Sequence, residues 1–345
     1  MEIALKIIYN VALLFIMMIP GVLLKKLKMV PDGFGKGVSN LVLYIAQPAL
    51  VFMAYMKEFD AQILKNSLYV LVLSIIAHAI FAGVAMLCFG KAPDGRRRML
   101  RFATIFSNAA FMGIPLISAV LEEQYPGATL YASIYNITFN LFLWSLGVYI
   151  CTANRDINDD GVDDHAEVSR LLPTENDDAK VKDGSGSILK ALYHPVTIAA
   201  ALGLIFFVFP IRQYLPSIVT DICGESFTML KNLVAPLSML VIGLRLADMK
   251  FDGVLRDKYM YIFLALRHVV LPLIVIGVIK LGELVGINIA HVVSMVVVIL
   301  AATPAASSAT MFAEKFDCDA AYVSRLVTIS TILSIVTMPF LIMLV

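Results

Sequence analysis

Two apolar stretches of the chain carry small polar residues beside glycine or proline. The first reads Ser-Asn-Ala-Ala-Phe-Met-Gly-Ile-Pro at 107–115, and the second reads Thr-Pro-Ala-Ala-Ser-Ser at 303–308. Proline lacks a backbone N–H and clashes with the preceding helical turn, whereas glycine removes side-chain restraint. We therefore expect an interruption of the helix in each stretch, caused by Gly113, Pro115 and Pro304.

A helix interrupted inside a membrane favours a binding site. Unpaired peptide groups in hydrocarbon cost several kcal/mol unless they line a cavity or meet protein partners. The N-terminus of each half-helix offers free N–H groups and a positive dipole end, which suit a carboxylate. We predict that Asn108, Thr303 and Ser307 line such a site. The alternative is that these small residues only allow close helix packing.

Ionisable residues inside the apolar stretches are either basic or histidines, which can change their charge near neutral pH. Outside the segment 154–187, no Asp or Glu falls in the middle of a predicted span, whereas His78, His268 and Arg267 do lie within spans. Such residues are costly in a membrane and usually functional. We predict an anionic substrate whose charge is compensated by Arg267 or His78. Alternatively, His78 is neutral and bonded to a carbonyl, while Arg245 extends to the membrane surface.

Catalytic and metal-binding motifs are missing from the sequence. It contains no HExxH, GxSxG or phosphate loop, and its four cysteines do not have metal-ligand spacing. We expect no enzymatic activity, no cofactor and no metal centre. The segment 156–167 does fit the pattern of a calcium loop, but Asp163 stands where such loops carry an apolar residue. The sequence leaves calcium binding there open.

Composition places these residues in a membrane. The chain has 345 residues, of which 60% are hydrophobic and 15% charged, and a mean hydropathy of +0.85. These values exclude an ordinary soluble domain, and a net charge of +1 excludes nucleic-acid binding driven by bulk charge. The long apolar windows predict an all-α membrane protein with ten transmembrane helices. They cover 3–24, 38–56, 66–90, 99–121, 128–152, 188–209, 227–247, 259–281, 287–312 and 320–345.

The ten spans divide into two related halves. An acidic linker, 154–187, with ten acidic and four basic residues, separates a first repeat at 1–153 from a second at 188–345. A shift of 191 residues aligns 123–133 with 314–324 and lays span four over span nine. Because five is odd, the two copies cross the membrane in opposite directions. We therefore predict a 5+5 inverted repeat, typical of secondary transporters, with crossed and broken helices 4 and 9.

Basic residues predict the orientation. Four alternate loops, 25–37, 91–98, 248–258 and 313–319, hold twelve Lys and Arg residues, whereas the other short loops hold three. Positive loops face the cytoplasm. We therefore expect a multi-pass protein of the plasma membrane with a cytoplasmic linker and both termini outside the cytoplasm.

The segment 108–115 resembles the Asn-x-x-x-Met-Gly-Ile-Pro crossover of the auxin efflux carriers and their bacterial permease relatives. The segments 235–247 and 304–316 are similar to the seventh and ninth helices of that family. The resemblance implies ten helices in an inverted repeat, with spans one, two, six and seven as a scaffold and the other six as a mobile unit. The short linker favours a bacterial-type organic-acid permease.

The resemblance also implies roles for particular residues. Asn108 would contact the substrate carboxylate, and Pro115 and Pro304 would hold the helix breaks open. Together with the basic spans, these roles predict a secondary transporter of small organic anions, such as mono- or dicarboxylates, that works by alternating access. The alternative is a non-transporting membrane receptor or sensor for a small carboxylate. Expected partners are the anion and the lipid bilayer but no nucleic acid; a coupling ion (proton or sodium) and a homodimer are left open.

Overall fold

The computed structural model describes residue 9 and residues 12–152, 193–209, 211–214, 216–247, 257–316 and 318–345. The acidic segment 154–187, the calcium-like pattern at 156–167 and the predicted repeat boundaries lie outside these residues. The described chain is helical and has no β-strand beyond one isolated bridge. Its main helices are α1 (Ile19–Lys26), α2 (Phe34–Ala54), α3 (Ala61–Cys88), α4 (Asp94–Ile105), α5 (Ala109–Val120), α6 (Ala128–Thr152), α7 (Pro195–Val208), α8 (Ser217–Asn232), α9 (Val234–Ala247), α10 (Lys258–Leu284), α11 (His291–Ala302), α12 (Ser308–Lys315) and α13 (Ala320–Ile342).

Several of these helices are long and apolar enough to cross a membrane. Among the described residues there are six such stretches, namely α2, α3, α6, α10, α13 and the nearly continuous pair α8–α9 from Thr220 to Ala247. Three shorter apolar helices, α5, α7 and α11, accompany them. The prediction of an all-α membrane protein is confirmed. The count of ten spans and the inverted repeat stay predictions.

The segment before span seven differs from the prediction. The predicted spans leave 210–226 as a loop between spans six and seven, but α8 begins at Ser217 and leads almost directly into α9. Its polar residues Asp221 and Glu225 hide the helix from a hydropathy window, while Phe227 packs on Phe52 of α2 at 5.4 Å between ring centroids. Tertiary packing therefore extends this helix beyond its apolar part.

Predicted spans four and nine are each divided into two helices. Residues 106–108 separate α4 from α5, and residues 303–307 separate α11 from α12. We call these two segments the paired breaks. Pro304 lies within the second break, whereas Gly113 and Pro115 follow the first break instead of forming it. A π-helical turn at Ala109–Gly113 comes between them, and Pro115 lies at the start of the regular helix, where its missing N–H is tolerated.

Gly113 has a packing role in this arrangement. A Cβ atom there would lie 2.5 Å from Leu300 Cδ2 and 3.3 Å from Thr303 Cγ2, both of the α11 region. Glycine therefore allows α5 to approach α11 closely at the paired breaks.

A polar contact joins the turn after α5 to the turn after α2. Glu122 binds Lys57 and also accepts hydrogen bonds from the backbone N–H groups of Gly127 (3.1 Å) and Thr129 (2.7 Å) at the start of α6. Burial by itself would raise the pKa of the Glu122 carboxyl, but the hydrogen bonds from Lys57 and Thr129 outweigh it and hold the pKa below its ordinary value. The ionised carboxylate thus caps α6 and ties it to the α2–α3 turn.

We predict that Glu122→Gln lowers the stability of the purified protein by about 1–2 kcal/mol at pH 7, because charge-assisted hydrogen bonds are lost. Because folding lowers the pKa of Glu122, its ionised carboxylate stabilises the protein at pH values above the ordinary pKa of glutamate. This stabilisation disappears as the pH falls through the pKa that Glu122 has in the folded protein. Thermal unfolding in detergent measures it. The exposed Glu58→Gln in the α2–α3 turn is the control. If Glu122→Gln lost as much stability at acid pH as at pH 7, the prediction would be wrong.

Candidate functional site

The paired breaks lie against each other and share their backbone hydrogen bonds. Ser107 and Ala305 form an antiparallel bridge. The Asn108 N–H donates to the Pro304 carbonyl at 2.7 Å, and the Ala306 N–H donates to the Phe106 carbonyl at 2.8 Å. Each break therefore satisfies peptide groups of the other, which is how two interrupted helices persist in a dry interior.

Arg267 of α10 caps the C-terminal ends of α4 and α11, the two helices that end at the paired breaks. Its side chain is fully buried. Nε donates to the Thr303 carbonyl at 3.0 Å, Nη1 to the Thr104 carbonyl at 3.1 Å, and Nη2 to the carbonyls of Ala301 (2.9 Å) and Thr303 (2.8 Å). Thr104 lies in the last turn of α4, Ala301 lies in the last turn of α11, and Thr303 directly follows α11. The last carbonyl groups of a helix have no partner within the helix.

The charge of Arg267 matches its surroundings. The C-terminal ends of two helices bring partial negative charge together, and the guanidinium lies between them. Each of its nitrogens already donates to the backbone, and its Cζ lies 5.7 Å from the centre of the Phe81 ring. These contacts support a capping role for Arg267. Its predicted role toward the charge of a substrate stays a prediction.

The predicted polar residues Asn108 and Ser307 meet across the paired breaks. Asn108 Nδ2 donates to Ser307 Oγ at 3.2 Å, and the two residues are 2% and 3% exposed. Thr303 is also buried, but its hydroxyl donates to the Leu300 carbonyl of its own helix at 2.9 Å. The structure therefore brings two of the three predicted lining residues together and turns the third hydroxyl toward the backbone.

The second half-helices begin at this same place. The Asn108 carbonyl accepts from the N–H groups of Met112 and Gly113, both at 3.1 Å. The amides of residues 109–111 precede these first helical bonds and lie at the positive end of α5, while α12 begins at Ser308. Chemically, such a cluster of N–H groups with an amide and a hydroxyl can bind an anion.

His78 of α3 makes its polar contact with its own helix. Its Nδ1 lies 2.7 Å from the Ser74 carbonyl, which can only accept, so Nδ1 carries the proton. The ring is fully buried beside Tyr135 and Phe142, at 5.3 Å and 5.1 Å between ring centroids. The structure thus gives His78 the carbonyl contact of the alternative interpretation. Its role in charge compensation stays a prediction.

His268 instead connects to a paired break. Its Nε2 lies 2.9 Å from Ser330 Oγ, and Ser330 Oγ accepts from the Ala305 N–H at 3.0 Å. Its Nδ1 lies 3.0 Å from Thr337 Oγ1, which donates to the Leu333 carbonyl. The sequence does not single out Ser330, because a serine in an apolar helix gives no signal of the break that it supports.

The helices of predicted spans two and seven contact the starts of α5 and α12, respectively. Gln47 Nε2 of α2 donates to the Ala110 carbonyl at 2.9 Å. Arg245 of α9 donates to the Ser307 carbonyl and to Thr310 Oγ1, the latter at 3.2 Å. Arg245 therefore contacts the start of α12, and its extension to the membrane surface stays a prediction. Gln47 was missed, although a glutamine in the middle of an apolar span is a recognisable signal.

An open groove of about 600 Å³ lies elsewhere, between α2, α7 and α8. Its walls are apolar and include Phe52, Leu202 and Phe227. Asn108, Thr303 and Ser307 are not among its lining residues, and all three are buried. In this conformation the paired breaks are closed to solvent.

The chain is similar to known membrane transport proteins. A family model described as membrane transport protein matches residues 6–342. The chain belongs to this family. The match confirms the resemblance to auxin efflux carriers. A protein of the archaeon Methanothermobacter thermautotrophicus (strain Delta H), named an uncharacterized transporter, is 23% identical over 328 residues, which cover 94% of this chain and 93% of the relative.

We predict that this membrane transport protein is destabilised by about 3 kcal/mol or more in Arg267→Met, because three buried carbonyl groups lose their donors. Arg267→Lys keeps the charge but cannot reproduce the guanidinium fork, so we expect a smaller loss. Thermal unfolding in detergent is the measurement. Lys280→Met, at an exposed position of the same helix, is the control. If Arg267→Met melts like the control, the capping role is wrong.

Proposed function

We propose that the protein is a secondary transporter of small organic anions such as mono- or dicarboxylates, which bind at the paired breaks. The observation that carries this proposal is the meeting of the α5 and α12 N-termini with Asn108 and Ser307 in one buried place. Neither 104–115 nor 299–310 contains an acidic residue, so no carboxylate of these segments competes for the amides.

The partial charges of the helix ends beside the paired breaks favour the binding of an anion. Arg267 occupies the C-terminal ends of α4 and α11, where partial negative charge accumulates. The N-terminal ends of α5 and α12 keep their partial positive charge, and Arg245 adds a cation beside Ser307. A carboxylate at the N-terminal ends would complete this charge pattern. Asn108 would bind it directly, with Ser307 and Thr303 lining the site.

Alternating access requires two bodies that move against each other. Following the family resemblance, we propose a scaffold of α1, α2 and α7–α9 and a mobile unit that carries crossed, broken helices within a 5+5 inverted repeat. The contacts of Gln47 with α5 and of Arg245 with Ser307 would lie on the boundary between the scaffold and the mobile unit. The closed site seen here would open to one side as these contacts change. We further propose a plasma-membrane location with both termini outside the cytoplasm.

We predict that Asn108→Ala lowers the uptake of carboxylates into proteoliposomes at least about tenfold, because a direct hydrogen bond to a charged group is lost. A panel of radiolabelled mono- and dicarboxylates, tested with and without sodium and proton gradients, first identifies a transported acid and its coupling ion. Asn66→Ala, which removes a buried amide bonded to Tyr131 in α6, is the matched control.

Three results of this experiment lead to different conclusions. Reduced uptake in Asn108→Ala alone supports the proposed site. Unchanged uptake removes Asn108 from the site. Saturable carboxylate binding by the wild type without any flux would instead favour the receptor or sensor.

A further inference from the structure

Gln47 carries a polar group that the proposed function leaves unexplained. The residue follows a π-helical turn of α2 at Val42–Ala46 and is fully buried. Its Nε2 donates to the Ala110 carbonyl at 2.9 Å. Because a carbonyl only accepts, this contact fixes which end of the side-chain amide is nitrogen and which is oxygen.

The oxygen end of Gln47 lacks a partner. Within the described part of the chain, Oε1 has no hydrogen-bond donor and is inaccessible to solvent. An unpaired buried acceptor costs about 1–3 kcal/mol, so such groups are rare without a function. The Nε2 contact alone does not explain the oxygen, since a side chain that only had to hold Ala110 needs just a donor.

The location of this oxygen connects it with the paired breaks. Ala110 lies in the first turn of α5, two residues after Asn108. The amide that holds the Ala110 carbonyl therefore places Oε1 beside the N-terminal end of α5. At this end the backbone and Asn108 Nδ2 offer donors, whereas Gln47 offers an acceptor.

We propose that Gln47 determines substrate specificity by accepting, through Oε1, a hydrogen bond from a hydroxyl or N–H group that the transported anion carries near its carboxylate. This inference rests on the proposed function. The carboxylate would bind the donors of α5 and Asn108, and the neighbouring donor of the same molecule would bind Gln47. A site with a buried acceptor discriminates strongly against an analogue that lacks the matching donor, because the acceptor then stays unpaired.

The test uses pairs of acids that differ by hydroxyl groups: glycolate and acetate, lactate and propionate, tartrate and succinate. We expect wild-type proteoliposomes to transport the hydroxy acid of at least one pair with a KM at least about tenfold below that of its partner. In Gln47→Met, of similar size but without the acceptor, the ratio should fall to about two or less. Gln62→Met, which changes an exposed glutamine of α3, should keep the wild-type ratio.

The ratio of two KM values is insensitive to the amount of folded protein, so a partly unstable variant still gives a result. Gln47→Leu serves in the same way if Gln47→Met cannot be purified. Equal KM values within every transported pair overturn this inference but leave the proposed function intact. A preference that persists in Gln47→Met or Gln47→Leu also overturns it. If the wild type neither transports nor binds any of these or other carboxylates, both proposals fail.

Discussion

The structure depends on the backbone pairing of two helix breaks. An interrupted helix in an apolar interior exposes peptide groups that water cannot reach, and each such group costs several kcal/mol. Here residues 106–108 and 303–307 satisfy each other through an antiparallel bridge. Neither break could persist at this position without the other. Two segments far apart in the sequence therefore pair their backbones where their helices are least regular.

Side chains from the surrounding helices complete this arrangement and give its two ends different chemistry. Arg267 supplies donors to the carbonyl ends of α4 and α11, and Ser330, backed by His268, supplies an acceptor to the Ala305 N–H. Arg267 thereby binds carbonyl groups at both of these helix ends. The amide ends of α5 and α12 keep N–H groups at their positive ends, which is the reason for placing an anion there.

Under the proposed function, the same geometry would connect binding with movement. Gln47 and Arg245 contact the first turns of α5 and α12 from helices outside the broken pairs. Under the proposed function, these contacts would change as the two groups of helices move against each other. A substrate that changes such contacts would favour one arrangement over another only as far as it binds the two arrangements differently.

The sequence by itself determined the class of the protein and the approximate location of the breaks. Apolar windows depend on composition, and Pro304 disrupts a helix whatever surrounds it, so both can be read locally. Only the tertiary structure decided that the first break lies at 106–108, before Gly113 and Pro115, because a π-helical turn absorbs the effect of that proline. It also turned Arg267 toward backbone carbonyls and brought Gln47 to Ala110 across 63 positions of sequence. Hydrogen-bond partners so far apart in the chain are chosen by packing, which leaves no periodic pattern in the sequence to read.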